Sequence, residues 1–123
     1  MRIAMPRGDI RLHRFLIKDL DGVATDIDFS EIYFTVKKTT MDRDFIFQKK
    51  LSSGTEIIKL GPGDYQVKIE ANDTQNLAYG NYKFDIQLNW SDEKGTEQFK
   101  ESFVGDFVVK EEVTFYYNET QEP

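Results

Sequence analysis

The sequence contains no cysteine, a single histidine and three prolines in 123 residues. The absence of cysteine excludes disulfides and thiolate metal sites, and it fits folding in a reducing compartment. With His13 as the only imidazole, no cluster of histidine ligands can form. We expect His13 to occupy a surface or edge position in the first strand.

Long apolar runs and catalytic signatures are also missing. No stretch approaches the roughly 20 apolar residues that span a bilayer, and the N-terminus lacks the apolar core of a secretory signal. The dinucleotide-binding, Walker, G-x-S-x-G and H-E-x-x-H motifs do not occur. We therefore expect a protein made in the cytoplasm, with no signal peptide, no membrane partner, no cofactor, no metal and no enzymatic activity.

Charge is distributed unevenly along the chain. The net charge of −6 combines about +4 on residues 1–18 with about −10 on the remainder. An acidic body disfavours nucleic acid as a partner. The arginines of the basic segment, Arg7, Arg11 and Arg14, are candidates for contact with an acidic protein surface.

Three segments alternate apolar and polar residues with a period of two, the pattern of a strand with one buried face. They are residues 31–37, 65–69 and 82–90. In the third, the face predicted to be buried carries Tyr82, Phe84, Ile86, Leu88 and Trp90. Ten Phe, six Tyr and one Trp supply much of the apolar surface, and aromatic residues favour strands over helices.

Weaker strand patterns cover residues 9–18, 44–51, 55–60, 97–104 and 106–116. In the first of these, the buried set is either Ile10, Leu12 and Leu16 or Phe15 and Ile17. Between the last two, a glycine at position 105 predicts a bulge or a strand break.

Only residues 71–77 look helical, as a single turn capped by Asn72 or Asp73. The elements together predict an all-β domain of seven or eight short strands with at most this one helical turn. A turn about every 8–12 residues favours a sandwich or a barrel. We expect one domain over residues 1–117 and a polar tail over residues 118–123.

Four carboxylates lie within residues 19–28, a density that occurs in calcium-binding loops. The spacing departs from the EF-hand loop, because Val23 takes the fifth position and Ser30 takes the twelfth. We expect a solvated turn without specific calcium binding.

Aromatic residues outside the predicted core are candidates for a binding face. They are Tyr33, Tyr79, Phe115, Tyr116 and Tyr117. Such rings either stack on sugars or anchor a protein partner, since buried aromatics dominate interface energetics. For Phe115 and Tyr117 a further alternative stays open, because they continue the alternation of the last strand.

Several segments, taken in order, resemble small structural proteins of tailed bacteriophages and prophages. They are residues 7–9, 32–37, 45–51, 79–86 and 111–114. The pattern is similar to the N-terminal domain of the phage baseplate upper protein and covers roughly residues 7–114. This resemblance implies an antiparallel immunoglobulin-like β-sandwich, without an active site, that is made in the cytoplasm of a bacterial host and belongs to a virion.

We therefore expect a non-enzymatic virion component of the head, neck or tail and baseplate. It would contact other virion proteins, in a symmetric assembly, through Arg7, Arg11, Arg14, Phe115, Tyr116 and Tyr117. A baseplate upper protein would continue beyond Pro123, which favours an accessory subunit. The alternative is a carbohydrate-binding module that adheres to glycans, and exposed aromatics beside Asn, Asp or Gln would favour it. An enzyme with a carboxylate site ranks third.

Overall fold

A computed structural model describes residues 2–111 of the chain, with the backbone alone at residues 99–102. Within this range eight strands form two sheets. The strands are β1 (Arg2–Pro6), β2 (Arg11–Leu16), β3 (Glu31–Lys37), β4 (Phe47–Lys50), β5 (Ile57–Gly61), β6 (Asp64–Ile69), β7 (Gly80–Ser91) and β8 (Glu97–Lys110). The prediction of a mostly β domain is confirmed.

The larger sheet has the strand order β1-β8-β7-β3-β4, and the smaller sheet has the order β2-β6-β5. Apolar side chains from both sheets form one core, in which the rings of Phe15 and Phe103 meet edge to face across the layers. The architecture is therefore sandwich-like. In the described residues, β2 and β5 are the edges of the smaller sheet, and a free edge can in principle accept another strand.

The larger sheet is mixed, and the prediction of an antiparallel sandwich is wrong at this point. β1 runs parallel to β8, with Arg2 opposite Asp106 and Pro6 opposite Lys110, while the other pairs in this sheet are antiparallel. Residue alternation indicates which face of a strand is buried, but it carries no information on the direction of the neighbouring strand. The expectation of short strands also fails for β7 and β8, which contain 12 and 14 residues.

The predicted core face of β7 is confirmed. Tyr82, Phe84, Ile86 and Leu88 are at most 8% exposed, and Trp90 packs against the same core from a partly buried position. The ring of Phe84 stacks on a ring of the adjacent strand, at 5.3 Å between centroids.

The two registers left open for β2 are now distinguished. Phe15 and Ile17 are buried, whereas Ile10, Leu12 and Leu16 are exposed. The stacking of Phe15 on Tyr65 of β6, at 5.9 Å between ring centroids, accounts for this choice because it places an aromatic pair in the core.

The glycine predicted to interrupt the last strands does not do so. Gly105 lies inside the continuous strand β8, opposite Phe84, and the irregularity in pairing occurs between residues 101 and 103. Alternation places Gly105 between Phe103 and Phe107, on the face of β8 that packs against the core.

The helical turn is present as α1 (Ala71–Thr74), and a 3₁₀ turn at Leu51–Ser53 was not predicted. The predicted cap is wrong, because the N-cap residue is Glu70. Asp73 lies at the third helical position, and its carboxylate accepts a hydrogen bond from the Glu70 amide at 2.7 Å. This reciprocal arrangement satisfies backbone donors at the start of the turn.

Candidate functional surfaces

Arg7 is held in place by contacts within the domain. Its guanidinium carbon lies 4.3 Å from the centroid of the Tyr79 ring, and a terminal nitrogen donates to the Leu77 carbonyl at 3.3 Å. The next residue, Gly8, donates its amide hydrogen to the hydroxyl of the fully buried Thr74 at 2.8 Å. These contacts attach the connection between β1 and β2 to the end of α1 and to the segment that follows it.

Arg14 is also paired within the domain. Its Nε donates to Oδ1 of Asp64 at 2.8 Å, and a terminal nitrogen donates to the other carboxylate oxygen. This hydrogen-bonded contact lowers the pKa of the Asp64 carboxyl and raises that of Arg14. The Arg14 side chain nevertheless stays 65% exposed, so the pair lies at the surface.

Arg11 is exposed at the start of β2, opposite Ile69. The three predicted arginines therefore have three different environments. The other predicted contacts, Phe115, Tyr116 and Tyr117, lie outside the described residues.

The outer face of the smaller sheet carries exposed apolar side chains on both of its edge strands. Leu12 and Leu16 on β2 are 57% and 47% exposed, and Ile58 and Leu60 on β5 are 40% and 47% exposed. Between them, β6 presents polar residues, with Gln66 paired to both Arg14 and Ile58. We call this surface, defined by Leu12, Leu16, Ile58 and Leu60, the small-sheet face.

The larger sheet carries a polar cleft on its outer face. We call it the outer cleft, and its lining consists of Thr35, Lys37, Arg43, Phe45, Gln48, Asp85 and Gln87. The sequence pattern predicts one strand over residues 44–51, which does not reveal this cleft. The structure begins β4 only at Phe47 and leaves Phe45 in the preceding loop, 51% exposed. The signal available in the sequence was the polar run before Phe45, which contains three charged residues, Asp42, Arg43 and Asp44.

The acidic loop over residues 19–28 uses one of its carboxylates to order its own backbone. Oδ1 of Asp19 accepts hydrogen bonds from the amides of Asp21 and Val23, at 2.9 and 3.0 Å. Residues 2–111 contain no group of three acidic, histidine or cysteine side chains placed to hold a metal ion. A shallow apolar cleft adjoins the loop, between Ile27 and Trp90.

Two buried polar atoms in the described residues have no hydrogen-bond partner, Nε2 of His13 and the hydroxyl of Tyr65. His13 lies on the edge strand β2, opposite Val67, which agrees with the predicted edge position. Burial, with the nearby charge of Arg11, lowers the pKa of His13. Burial likewise raises the pKa of Tyr65.

No known protein family matches the chain, and a search of curated proteins finds no match either. None of the described helices has the length and apolar character needed to cross a bilayer.

Proposed function

We propose that this protein is a non-enzymatic structural component of a tailed-phage particle and that it acts through protein–protein contacts. The observation that carries the proposal is the small-sheet face. Four large apolar side chains, each at least 40% exposed, lie on the two edge strands of one sheet. A concentration of exposed apolar residues on one face is typical of a surface that is covered in an assembly.

The composition of the small-sheet face supports a protein partner. Its apolar side chains flank the exposed Arg14–Asp64 pair, so that an apolar surface is combined with fixed charges. Apolar contact supplies binding energy, and charged groups set orientation and association rate. A partner with apolar side chains around a polar centre would complement this arrangement.

The resemblance to the phage baseplate upper protein supports the same assignment. The quoted segments fall on elements that define the domain: residues 32–37 lie in β3, residues 45–51 include β4, and residues 79–86 include the start of β7. An immunoglobulin-like sandwich is part of this proposal. Because one fold can serve many functions, the deciding observation is whether the protein is present in purified phage particles.

The test uses phage particles purified from cells that carry the coding sequence in its native context. We expect the protein to be present in the particles, as detected with an antibody. We also expect a Leu12→Ser/Leu16→Ser variant to be lost from them. The matched control is Met41→Ser, which replaces a side chain that is 89% exposed on a loop of the other sheet. Circular dichroism establishes that each variant is folded.

Two results would contradict different parts of the proposal. Absence of the unaltered protein from the particles would overturn the structural role. Normal incorporation of the Leu12→Ser/Leu16→Ser variant would show that the small-sheet face is not the contact surface.

The exposed charge of Arg11 allows a kinetic test once a binding particle protein is known. We expect Arg11→Gln to slow association and reduce its salt dependence while dissociation changes little. Arg14 is a less suitable position, because its substitution would also break the pair with Asp64.

A further inference from the structure

The outer cleft has a small, recessed residue as its floor. Thr35 lies in the centre of β3 and pairs with Gln48 of β4 on one side and Asp85 of β7 on the other. It is only 6% exposed, although it faces outward from the sheet. The surrounding side chains are longer and stand above it, so the outer face has a depression of about 270 Å³ at this point.

Two amide side chains in the lining have a fixed orientation. Nε2 of Gln48 donates to the Thr35 hydroxyl at 3.0 Å, and Nε2 of Gln87 donates to Oδ1 of Asn89 at 3.2 Å. A primary amide has two donor hydrogens and one acceptor oxygen. Each glutamine can therefore offer a further donor and an acceptor to a ligand, which suits hydroxyl groups because a hydroxyl both donates and accepts.

An aromatic ring stands at the rim of the same depression. Phe45 is half exposed, and its position is fixed by the backbone on either side. The next residue, Ile46, donates its amide hydrogen to the Val36 carbonyl at 2.7 Å, and the Thr39–Asp42 turn closes the loop before it. An aromatic face beside convergent polar groups can contact the apolar C–H face of a sugar ring while the polar groups bind its hydroxyls.

The charges in the lining favour an anionic ligand. Lys37 and Arg43 contribute two positive charges and Asp85 contributes one negative charge. The Arg43 side chain is exposed, and a guanidinium can bind a carboxylate or a phosphate through two parallel hydrogen bonds.

The geometry points to the outer cleft as a binding site for an acidic saccharide, a sugar ring that carries a carboxylate or a phosphate. The volume of about 270 Å³ is slightly below the range of ~300–1,000 Å³ for small-molecule sites. It is large enough for a single sugar unit and too small to seat a folded partner. Phe45 stacks on the ring, Gln48 and Gln87 bind hydroxyls, and Arg43 binds the anionic group. This activity is independent of the proposed structural role, since it uses the opposite sheet.

The experiment is a titration of the ¹⁵N-labelled full chain followed by amide chemical shifts at constant ionic strength. Four probes are compared: D-glucuronate, glucose 6-phosphate, glucose and inorganic phosphate. We expect saturable shifts at residues 35, 43–48 and 85–87 with glucuronate, glucose 6-phosphate or both. We expect about tenfold weaker binding of glucose and of inorganic phosphate, because each lacks one of the two recognised features.

Each outcome of the titration decides the proposal. Preference for either acidic sugar over both controls supports it, and the two acidic probes distinguish a carboxylate ligand from a phosphate ligand. If inorganic phosphate binds as tightly as the acidic sugars, the cleft binds anions without recognising the sugar. If glucose binds as tightly as the acidic sugars, the charged groups do not contribute to binding. Either of these results, or the absence of saturable shifts with all four probes, overturns it.

Variants locate the binding within the cleft. We expect Arg43→Gln and Phe45→Ala each to weaken binding of the acidic sugar about tenfold, since each removes one principal contact. The control is Met41→Ala in the same loop, where the side chain is 89% exposed and does not line the cleft. If Arg43→Gln and Phe45→Ala bind like the unaltered protein while remaining folded, the site is elsewhere and the proposal is wrong.

Discussion

The ammonium of Lys49 lies 2.7 Å from the carboxylate of Asp73, and the two side chains are only 6% and 13% exposed. The pair joins β4 of the larger sheet to the short helix α1. Oδ2 of Asp73 also accepts the amide hydrogen of Glu70, so this carboxylate serves both the ion pair and the helix cap.

Removal of either partner of this pair should destabilise the domain. We expect Lys49→Met or Asp73→Asn to lower the free energy of unfolding by ~3–5 kcal/mol, because the remaining charge would be buried without compensation. The double variant should lose less than the sum of the two single losses. Urea unfolding of the four proteins measures the coupling, and additive losses would mean that the two charges do not interact.

Because neighbouring residues of β7 face opposite sides of the sheet, substitutions at two adjacent positions should differ greatly in their effect on stability. Phe84 is 1% exposed, whereas Lys83 points outward and pairs with Asp106 at the surface. We expect Phe84→Ala to cost ~3–5 kcal/mol and Lys83→Ala to cost under ~1 kcal/mol. Equal denaturation midpoints for the two variants would contradict the observed register.

The buried nitrogen of His13 predicts a pH-dependent stability. Because its pKa is lowered from the ordinary value of 6.5, the unfolded chain binds the proton more readily than the folded chain does. Stability should therefore fall as the pH drops below about 6.5. We expect His13→Gln to reduce this loss, as measured by urea unfolding at about pH 7.5 and about pH 5, on either side of the ordinary imidazole pKa.

An NMR titration of the imidazole provides the direct measurement. A His13 pKa at or above 6.5 in the folded protein would contradict the expected lowering of this pKa by burial.

The turn between β5 and β6 requires a residue without a side chain. Gly63 has φ of +67°, and a Cβ atom there would lie 2.5 Å from the Ile17 carbonyl oxygen. Gly22 has a similar φ of +79° but open space around it. We expect Gly63→Ala to cost more than ~2 kcal/mol and Gly22→Ala to cost ~1 kcal/mol, the conformational term alone. Thermal unfolding compares the two, and equal losses would show that the predicted clash is relieved.

Calcium should not bind specifically to the acidic loop over residues 19–28. The Asp19 carboxylate already accepts two backbone hydrogen bonds, and the spacing of the other acids does not match a calcium loop. We expect equal melting temperatures in calcium and in magnesium at the same ionic strength. A rise specific to calcium that Asp21→Asn abolishes would contradict this prediction.

The strands were predictable where one face is buried over many residues. In β7 the alternation alone shows which residues face the core, namely Tyr82, Phe84, Ile86 and Leu88. In β2 apolar residues occur at both odd and even positions, so alternation does not show which set is buried. The packing of Phe15 on Tyr65 buries the odd-numbered set. β1 was missed because its five residues place only Ile3 and Met5 on the buried face.

The outer cleft could not be predicted from local patterns. Thr35, Gln48 and Asp85 become neighbours only through the pairing of β3 with β4 and β7. Pairing partners depend on the packing of the whole domain, and the sequence of one strand does not specify them. The exposure of Phe45 depends in turn on where β4 begins, which is a boundary that alternation leaves open by several residues.

The parallel pairing of β1 with β8 has a consequence for synthesis. Arg2 of β1 lies opposite Asp106 of β8, so β1 cannot complete this pairing until β8 has been synthesised. At roughly 5–20 residues per second the delay is on the order of 5–20 s. During that interval the growing chain carries Ile3 and Met5 without the neighbours that cover them in the finished domain. β1 therefore gains its strand partner only late in synthesis, although it precedes the other described strands in the chain.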